Sequence, residues 1–410
     1  MNCFQSPFSH RSVGCLALLV IFSILSSVPS LACTTVVVSA KASATGRPLL
    51  WKNRDTDKEY SHIVYFKGER YHFTGLVDSE DATQKVWAGA NEAGFCIVNN
   101  LSYNLRPSSY DGKPTNAGLL MKEALGSCAT VEEFADFINA NKGRGVSANF
   151  GVIDAQGGAA YFEVWDNGCT RYDASETSEG YIARTNYSVS GRPDDGKGYA
   201  RFETATALLK GHPSAGISAQ WLIDKVGRSF YNAVSDKDLL KGSGSVMEGD
   251  ERIPRFTSTS SIVFEGAGKG DKPSSTVMWT ALGYSPCAYI VPVWIAAGDD
   301  IPSILAASSM TDNGYKVSAA DSLAMAFKRR VYLQSTLSRD AKGKYIDVSL
   351  LKKVLPYVRK AEKTECKAAS ELDSRFRASG FDLVAVRKYN EDVAIRFNLY
   401  RKNISSKFGL

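Results

Sequence analysis

Beyond residue 32 the chain has no apolar run long enough to span a membrane. Histidine is scarce. Of four in 410 residues, His62, His72 and His212 stand apart from His10 and from one another, without the His-x-His or His-x-x-x-His spacing of a metal site. No cysteines form Cys-x-x-Cys, and no segment repeats. A serine nucleophile lacks its setting: Gly242-Ser243-Gly244 reads as a loop, not a strand-turn-helix elbow. Gly266, Gly268 and Gly270 likewise lack the flanking strand and helix of a nucleotide loop. The formal charge of +6 is concentrated at one end, where residues 351–410 hold fourteen Lys or Arg against seven Asp or Glu. With no zinc module and no Gly-aromatic stacking motif beside it, that excess reads as solvated helix faces rather than a nucleic-acid surface. Metal chemistry, nucleic acid and a membrane span are therefore not expected.

What the chain does have is an apolar leader ending in Ser30-Leu31-Ala32-Cys33. Residues 13–28 have the length of a signal h-region, and Ser30 and Ala32 supply the small-x-small pattern of a leader peptidase site. Cutting after Ala32 exports the protein, to a periplasm or outside the cell, and leaves Cys33 as its first residue. A thiol and a free α-amine then share one residue. Their ordinary pKa values, near ~8.5 and ~8, let the amine take the thiol proton at neutral pH without a histidine. Two plainer readings compete: Cys33 as a lipidated anchor, for which Leu31 stands one place too late, or as a buried or disulfide-bonded cysteine. Cys33, Cys96, Cys128, Cys169, Cys287 and Cys366 follow the leader. If Cys33 stays reduced, five remain, and a dense disulfide framework is not expected.

Composition, at 44% hydrophobic and 22% charged, allows a large core. Residues 34–39, Thr-Thr-Val-Val-Val-Ser, read as a buried strand, and residues 48–53 as a second that returns toward the chain start. That hairpin sets Lys52-Asn53-Arg54-Asp55 beside Cys33. Further strands are expected at 63–66, 86–89, 95–100, 149–154, 159–165, 169–172, 181–186, 260–264, 275–282 and 288–294. Helices are expected at 115–127, from Thr130 (a capping box), at 199–209, 218–226, 319–337, 350–369 and 381–402. Residues 242–249 read as a glycine and serine loop. The pattern divides into a leader, 1–32, a domain of strands and helices, 33–300, and a helical extension, 301–410. It implies an α+β sandwich of helix, sheet, sheet and helix.

An amide-cleaving thiol needs helpers. Asp55 is placed to hold the amine, while Lys52, Arg54 or Arg201 could favour the thiolate. Asn99 or Asn100, and Asn186, end apolar strands, where an amide is costly unless its side chain is employed, and are candidate oxyanion donors. Taken singly, each has a plainer reading: Arg54 and Asp55 as a surface ion pair, Asn91 and Asn186 as turn caps, Arg201 as a helix-face charge.

Together, Cys33-Thr34-Thr35, Lys52-Asn53-Arg54-Asp55, Asn91-Glu92-Ala93-Gly94-Phe95 and Thr185-Asn186 resemble the choloylglycine hydrolase superfamily of N-terminal cysteine hydrolases, which includes penicillin V acylases. The resemblance spans residues 33–300 and implies a four-layer αββα fold, cleavage of linear amides of small molecules, and no cofactor. It implies Cys33 as nucleophile and base, Asp55 as holder of its amine, and Asn186 as an oxyanion donor. Where the family more often reads Arg-Asn-x-Asp, this chain has Lys52 first. An acyltransferase of the same fold is the enzymatic alternative, and assembly into a homo-oligomer is compatible with either.

Overall fold

The computed structural model describes residues 32–105, 116–242, 246–248, 251–311, 314–332 and 345–410. Residues 1–31 of the leader, residues 243–245 and 249, and the end of the 319–337 helix lie outside the described residues; within the segment expected to be a loop, Val246–Glu248 is instead a strand, paired antiparallel with Tyr345–Asp347. Ten strands open the chain: β1 Ala32–Val38, β2 Leu49–Asp55, β3 Ser61–Phe66, β4 Phe73–Asp78, β5 Ala88–Asn91, β6 Cys96–Leu101, β7 Ala148–Ile153, β8 Ala159–Trp165, β9 Gly168–Asp173 and β10 Tyr181–Arg184. The first is β-branched almost throughout and is buried along its whole length, as is β2. They pair antiparallel with Ala32 opposite Asp55, Cys33 opposite Arg54 and Thr35 opposite Lys52. The hairpin thus returns the polar block to Cys33.

These two strands lie inside a six-stranded sheet, ordered β10, β1, β2, Ser258–Glu265, Val277–Leu282, Ile290–Trp294. Pro292 is tolerated because its strand is the outer one, where a missing N–H breaks no ladder on the far side. The second sheet is a seven-stranded meander, β3 to β9 in chain order. Its strand β4 was not expected from the sequence, since Phe73-Thr74-Gly75-Leu76-Val77-Asp78 mixes apolar and polar positions without clear alternation.

The sheets face each other through β1, β2, β6 and β7. Period-two alternation sends Cys96 and Val98 of β6 into the core between the sheets, and Ile97 to the opposite side. There Ile97 meets helices α1 (Ala117–Ser127) and α2 (Val131–Ala140), with Leu120, Met121, Leu125 and Phe134. Thr130 caps α2, accepting from Glu133 N at 3.0 Å. Asn91 ties this layer down: its Nδ2 donates to the Leu125 and Cys128 carbonyls, and its Oδ1 accepts from Ala93 N and Phe95 N. Its part is structural.

The other outer layer holds α3 (Tyr199–Lys210), the turn Ala219–Trp221 continuing into a π-helix at Leu222–Val226, and the helices Ala319–Val331, Val348–Ser379 and Leu383–Phe408. Val348, Leu351, Val354, Leu355 and Val358 recur at helical spacing and are buried, while Lys352, Lys353, Arg359, Lys360 and Lys363 face solvent. The described residues of 301–410 share one core with the first sheet. Trp294 packs on Phe376 and Tyr389, and Arg228 makes a buried pair with Glu362. All six cysteines among the described residues are free, so packing rather than cross-linking holds the fold. No described group of His, Cys, Asp and Glu could hold a metal, and no described helix is long and apolar enough to cross a membrane.

Candidate active site

Cys33 sits at the start of β1 between β10 and β2 and is 9% exposed. Its backbone nitrogen donates to Asn186 Oδ1 at 2.9 Å. Its carbonyl oxygen accepts from Arg201 Nη1 at 2.7 Å. Arg201 also donates to Thr34 Oγ1 at 3.0 Å and, through Nη2, to Asn186 Oδ1 at 2.8 Å. One guanidinium therefore fixes both the first strand and the amide that meets its nitrogen. Burial lowers the Arg201 pKa to about 10, with nearby Arg255 adding to the effect and Asp55 opposing it.

Arg201 reaches this position because α3 begins on Gly198, whose φ is +84°. A Cβ there would stand 2.3 Å from Arg201 Nη2 and 2.9 Å from Cζ. Glycine is required twice: for the left-handed backbone and for the space the guanidinium fills.

The resemblance implies that Asp55 holds the amine and that Asn186 donates to an oxyanion. In the structure the Asn186 oxygen meets Cys33 N, because two donors, Cys33 N–H and Arg201, converge on it, and its Nδ2 donates to Leu101 O at 2.9 Å. Asp55 lies opposite Ala32, with its side chain wholly buried. Its Oδ1 accepts from Ser258 Oγ at 2.6 Å and Asn53 Nδ2 at 3.1 Å. Its Oδ2 lies 3.3 Å from Arg255 Nε but has no hydrogen bond of good geometry. Burial raises the Asp55 pKa; Arg255, Arg201, the Ser258 hydroxyl and Lys328 pull it back.

Thr35, Lys52 and Arg54 share Cys33's side of the sheet, by the register of β1 and β2. Arg54 is occupied: its two terminal nitrogens form a bidentate pair with Asp78 at 2.7 and 2.9 Å, both residues buried, and it stacks over Trp87. It is not the surface partner of Asp55. Lys52 is 2% exposed and donates to Trp87 O and Asn99 Oδ1, each at 2.8 Å. Burial lowers its pKa to about 8, the charge of Cys33 pulls it upward, and Arg54 pushes it down. Lys52 and Arg201 thus both have charges coupled to the thiol. The register of β6 puts Asn100 opposite Asn149 and Asn99 opposite Phe150. Asn100 Oδ1 accepts from Thr35 Oγ1 at 3.0 Å, and Tyr161 donates to the same hydroxyl at 2.7 Å. Asn100 Nδ2 is buried and has no hydrogen-bond partner among the described residues. A buried amide donor without an acceptor is costly, and this one lies on the side of β6 that faces Cys33.

Sequence reasoning missed Asp78 and Arg255. Asp78 ends a strand that the pattern did not disclose. Arg255 stands just before the strand Ser258–Glu265, in Pro254-Arg255-Phe256, and only a pairing across two hundred residues brings it to Asp55.

An αββα sandwich with Cys33 near the start of an inner strand, its backbone bonded to the Asn186 amide and the Arg201 guanidinium, is similar to the arrangement of N-terminal nucleophile hydrolases. The pattern of the acyl-coenzyme A:6-aminopenicillanic acid acyl-transferase family matches residues 42–241. The matched stretch begins after Cys33 and stops before Arg255. No curated protein sequence matches the chain. Similar solved structures include an N-acylethanolamine-hydrolyzing acid amidase ortholog from Caenorhabditis elegans, at 14% identity and TM-score 0.39, covering 57% of this chain and 92% of that one. A mutant conjugated bile acid hydrolase from Clostridium perfringens aligns at 11% identity and TM-score 0.40, over 64% and 92%. Penicillin V acylase from Agrobacterium tumefaciens aligns at 13% and 0.39, over 64% and 86%.

Proposed function

We propose that this protein is an exported N-terminal cysteine amidase that cleaves linear amides of small molecules through a thioester on Cys33. The observation that carries the reading is the bond from Cys33 N to Asn186 Oδ1, with Arg201 fastened to both residues. That nitrogen becomes the α-amine once residues 1–32 are removed, and its bed is already built.

The amine takes the thiol proton, and Lys52 favours the resulting thiolate. The sulfur attacks the amide carbon, and the negative charge that develops on oxygen falls to Asn100 Nδ2. A preorganised donor of this kind is worth roughly 3 to 4 kcal/mol. The protonated amine then gives its proton to the leaving nitrogen as the carbon–nitrogen bond breaks. Water, deprotonated by the same amine, resolves the thioester to the acid and frees the thiol. Asp55 and Arg255 form the charged pair that orients the amine from the Ala32 side. Arg54 and Asp78 brace the far edge of the site.

Cys33→Ala is expected to abolish amide turnover while thermal stability and ligand binding persist; an active variant removes the proposal. N-terminal sequencing of the exported chain should begin at Cys33 with its nitrogen unblocked, and an acylated start would favour the lipid-anchor reading. The family pattern favours a second outcome, transfer of the acyl group to an amine instead of water. Product analysis with added amines separates the two.

A further inference from the structure

The helix Ala319–Val331 belongs to the C-terminal extension, outside the stretch that the family pattern matches. One of its residues, Lys328, is turned inward and is 4% exposed. Its Nζ donates to the Ser258 carbonyl at 3.2 Å and lies over the Phe256 ring at 5.1 Å. The ladder between β2 and the strand Ser258–Glu265 slips by one residue between Ser258 and Ser260. A bulge of this kind locally breaks the ladder, and Lys328 supplies a donor to the Ser258 carbonyl beside it.

The same turn forms the wall around Asp55. Ser258 Oγ donates to Asp55 Oδ1 at 2.6 Å and accepts from Arg255 N at 3.0 Å, and Arg255 Nε lies against Asp55 Oδ2. Holding Ser258 therefore holds two of the groups that face the carboxylate, the third being Asn53 Nδ2. The charged and titratable groups around Asp55 come from five elements: Lys52 on β2, Arg201 on α3, Arg255 before its strand, Tyr284 after Val277–Leu282, and Lys328 with Tyr332 at the end of the extension helix. Lys328 in turn faces Glu59, Asp321 and Arg329. Its pKa is lowered to about 8 by burial, so it is charged at neutral pH.

We propose that Lys328 is a positioning residue for the reaction: it fixes the Ser258 bulge and lends Asp55 a buried positive neighbour, which keeps that carboxylate ionised to orient the Cys33 amine. The C-terminal extension is then part of the catalytic unit. The proposal rests on the amidase reading above, through the role given to Asp55.

The test compares the full-length processed protein with Lys328→Met, Lys328→Gln and Lys328→Arg. Glutamine keeps a donor for Ser258 without the charge. In both uncharged variants the acid limb of kcat/KM is expected to move up by about one pH unit, an effect of about tenfold below the limb, and the neutral plateau is expected to fall further in Lys328→Met, which loses the Ser258 donor as well, than in Lys328→Gln. Lys328→Arg restores the limb. A wild-type limb in either folded uncharged variant overturns the proposal. Carbon-13 NMR titration of the Asp55 carboxyl, assigned with Asp55→Asn, should show the same upward shift without any substrate. If the wild-type protein cleaves no amide, the amidase reading fails, while this titration still decides whether Lys328 sets the Asp55 charge.

Discussion

Replacing Gly198 with alanine is the sharpest test of how the first strand is held. Two glycines allow the backbone cost to be separated from the cost of contact. Gly157, in the β7–β8 turn, has φ +94° and nothing within 4 Å of an added Cβ, so Gly157→Ala should cost only the left-handed backbone, about 1 to 2 kcal/mol. Gly198, at φ +84°, bears that cost as well, but its Cβ would lie 2.3 Å from Arg201 Nη2. The guanidinium is buried and must move, giving up bonds to the Cys33 carbonyl and to Asn186 Oδ1 at 2.7 and 2.8 Å. Bonds involving a charged partner contribute roughly 1.5 to 3 kcal/mol each. The sum for Gly198→Ala is therefore roughly 4 kcal/mol or more. Urea unfolding of the two variants measures the difference, and kcat for amide release should fall at least about tenfold in Gly198→Ala, with Gly157→Ala near wild type. If the two variants unfold at similar urea concentration and both retain full kcat, then Arg201 does not hold Cys33 and Asn186 in the way described.

Two further predictions concern pH. Because burial lowers the Lys52 pKa to about 8, the cation beside the thiol is lost as pH rises through that value, and activity should fall with it. Lys52→Arg keeps its charge, so its rate at pH 9 relative to pH 7 should exceed that of wild type several-fold; an unchanged alkaline limb would count against Lys52 as the thiol's cation. Asp321, buried on the extension helix with Oδ2 accepting from Ser61 N, has its pKa raised by burial from 3.8 to about 8. Its neutral form is the one folding favours, so its stabilising contribution is complete below about pH 4 and is lost as pH rises through about 8. Asp321→Asn should gain stability over wild type between pH 5 and pH 8 in urea midpoints, and an equal difference at both values refutes the assignment.

The amino-acid sequence determined much of the local order by itself. A β-branched run made β1, and the turn after it returned Lys52 to Asp55 to Cys33 in a register that pairing parity dictates. Alternation divided β6 between two cores, and heptad-like spacing drew the buried stripe of the long C-terminal helix. These are effects of neighbours within a few residues, which a linear pattern records. Tertiary structure alone decided which partner each polar group would meet. Arg54 finds Asp78, Asn186 turns its oxygen rather than its nitrogen to Cys33, Arg255 reaches Asp55 across about two hundred residues of chain, and Lys328 reaches the Ser258 carbonyl from another helix. Burying a charge is unfavourable until a counter-charge or hydrogen-bond partner is supplied, and those partners come from strands and helices that only the packing of two sheets brings together.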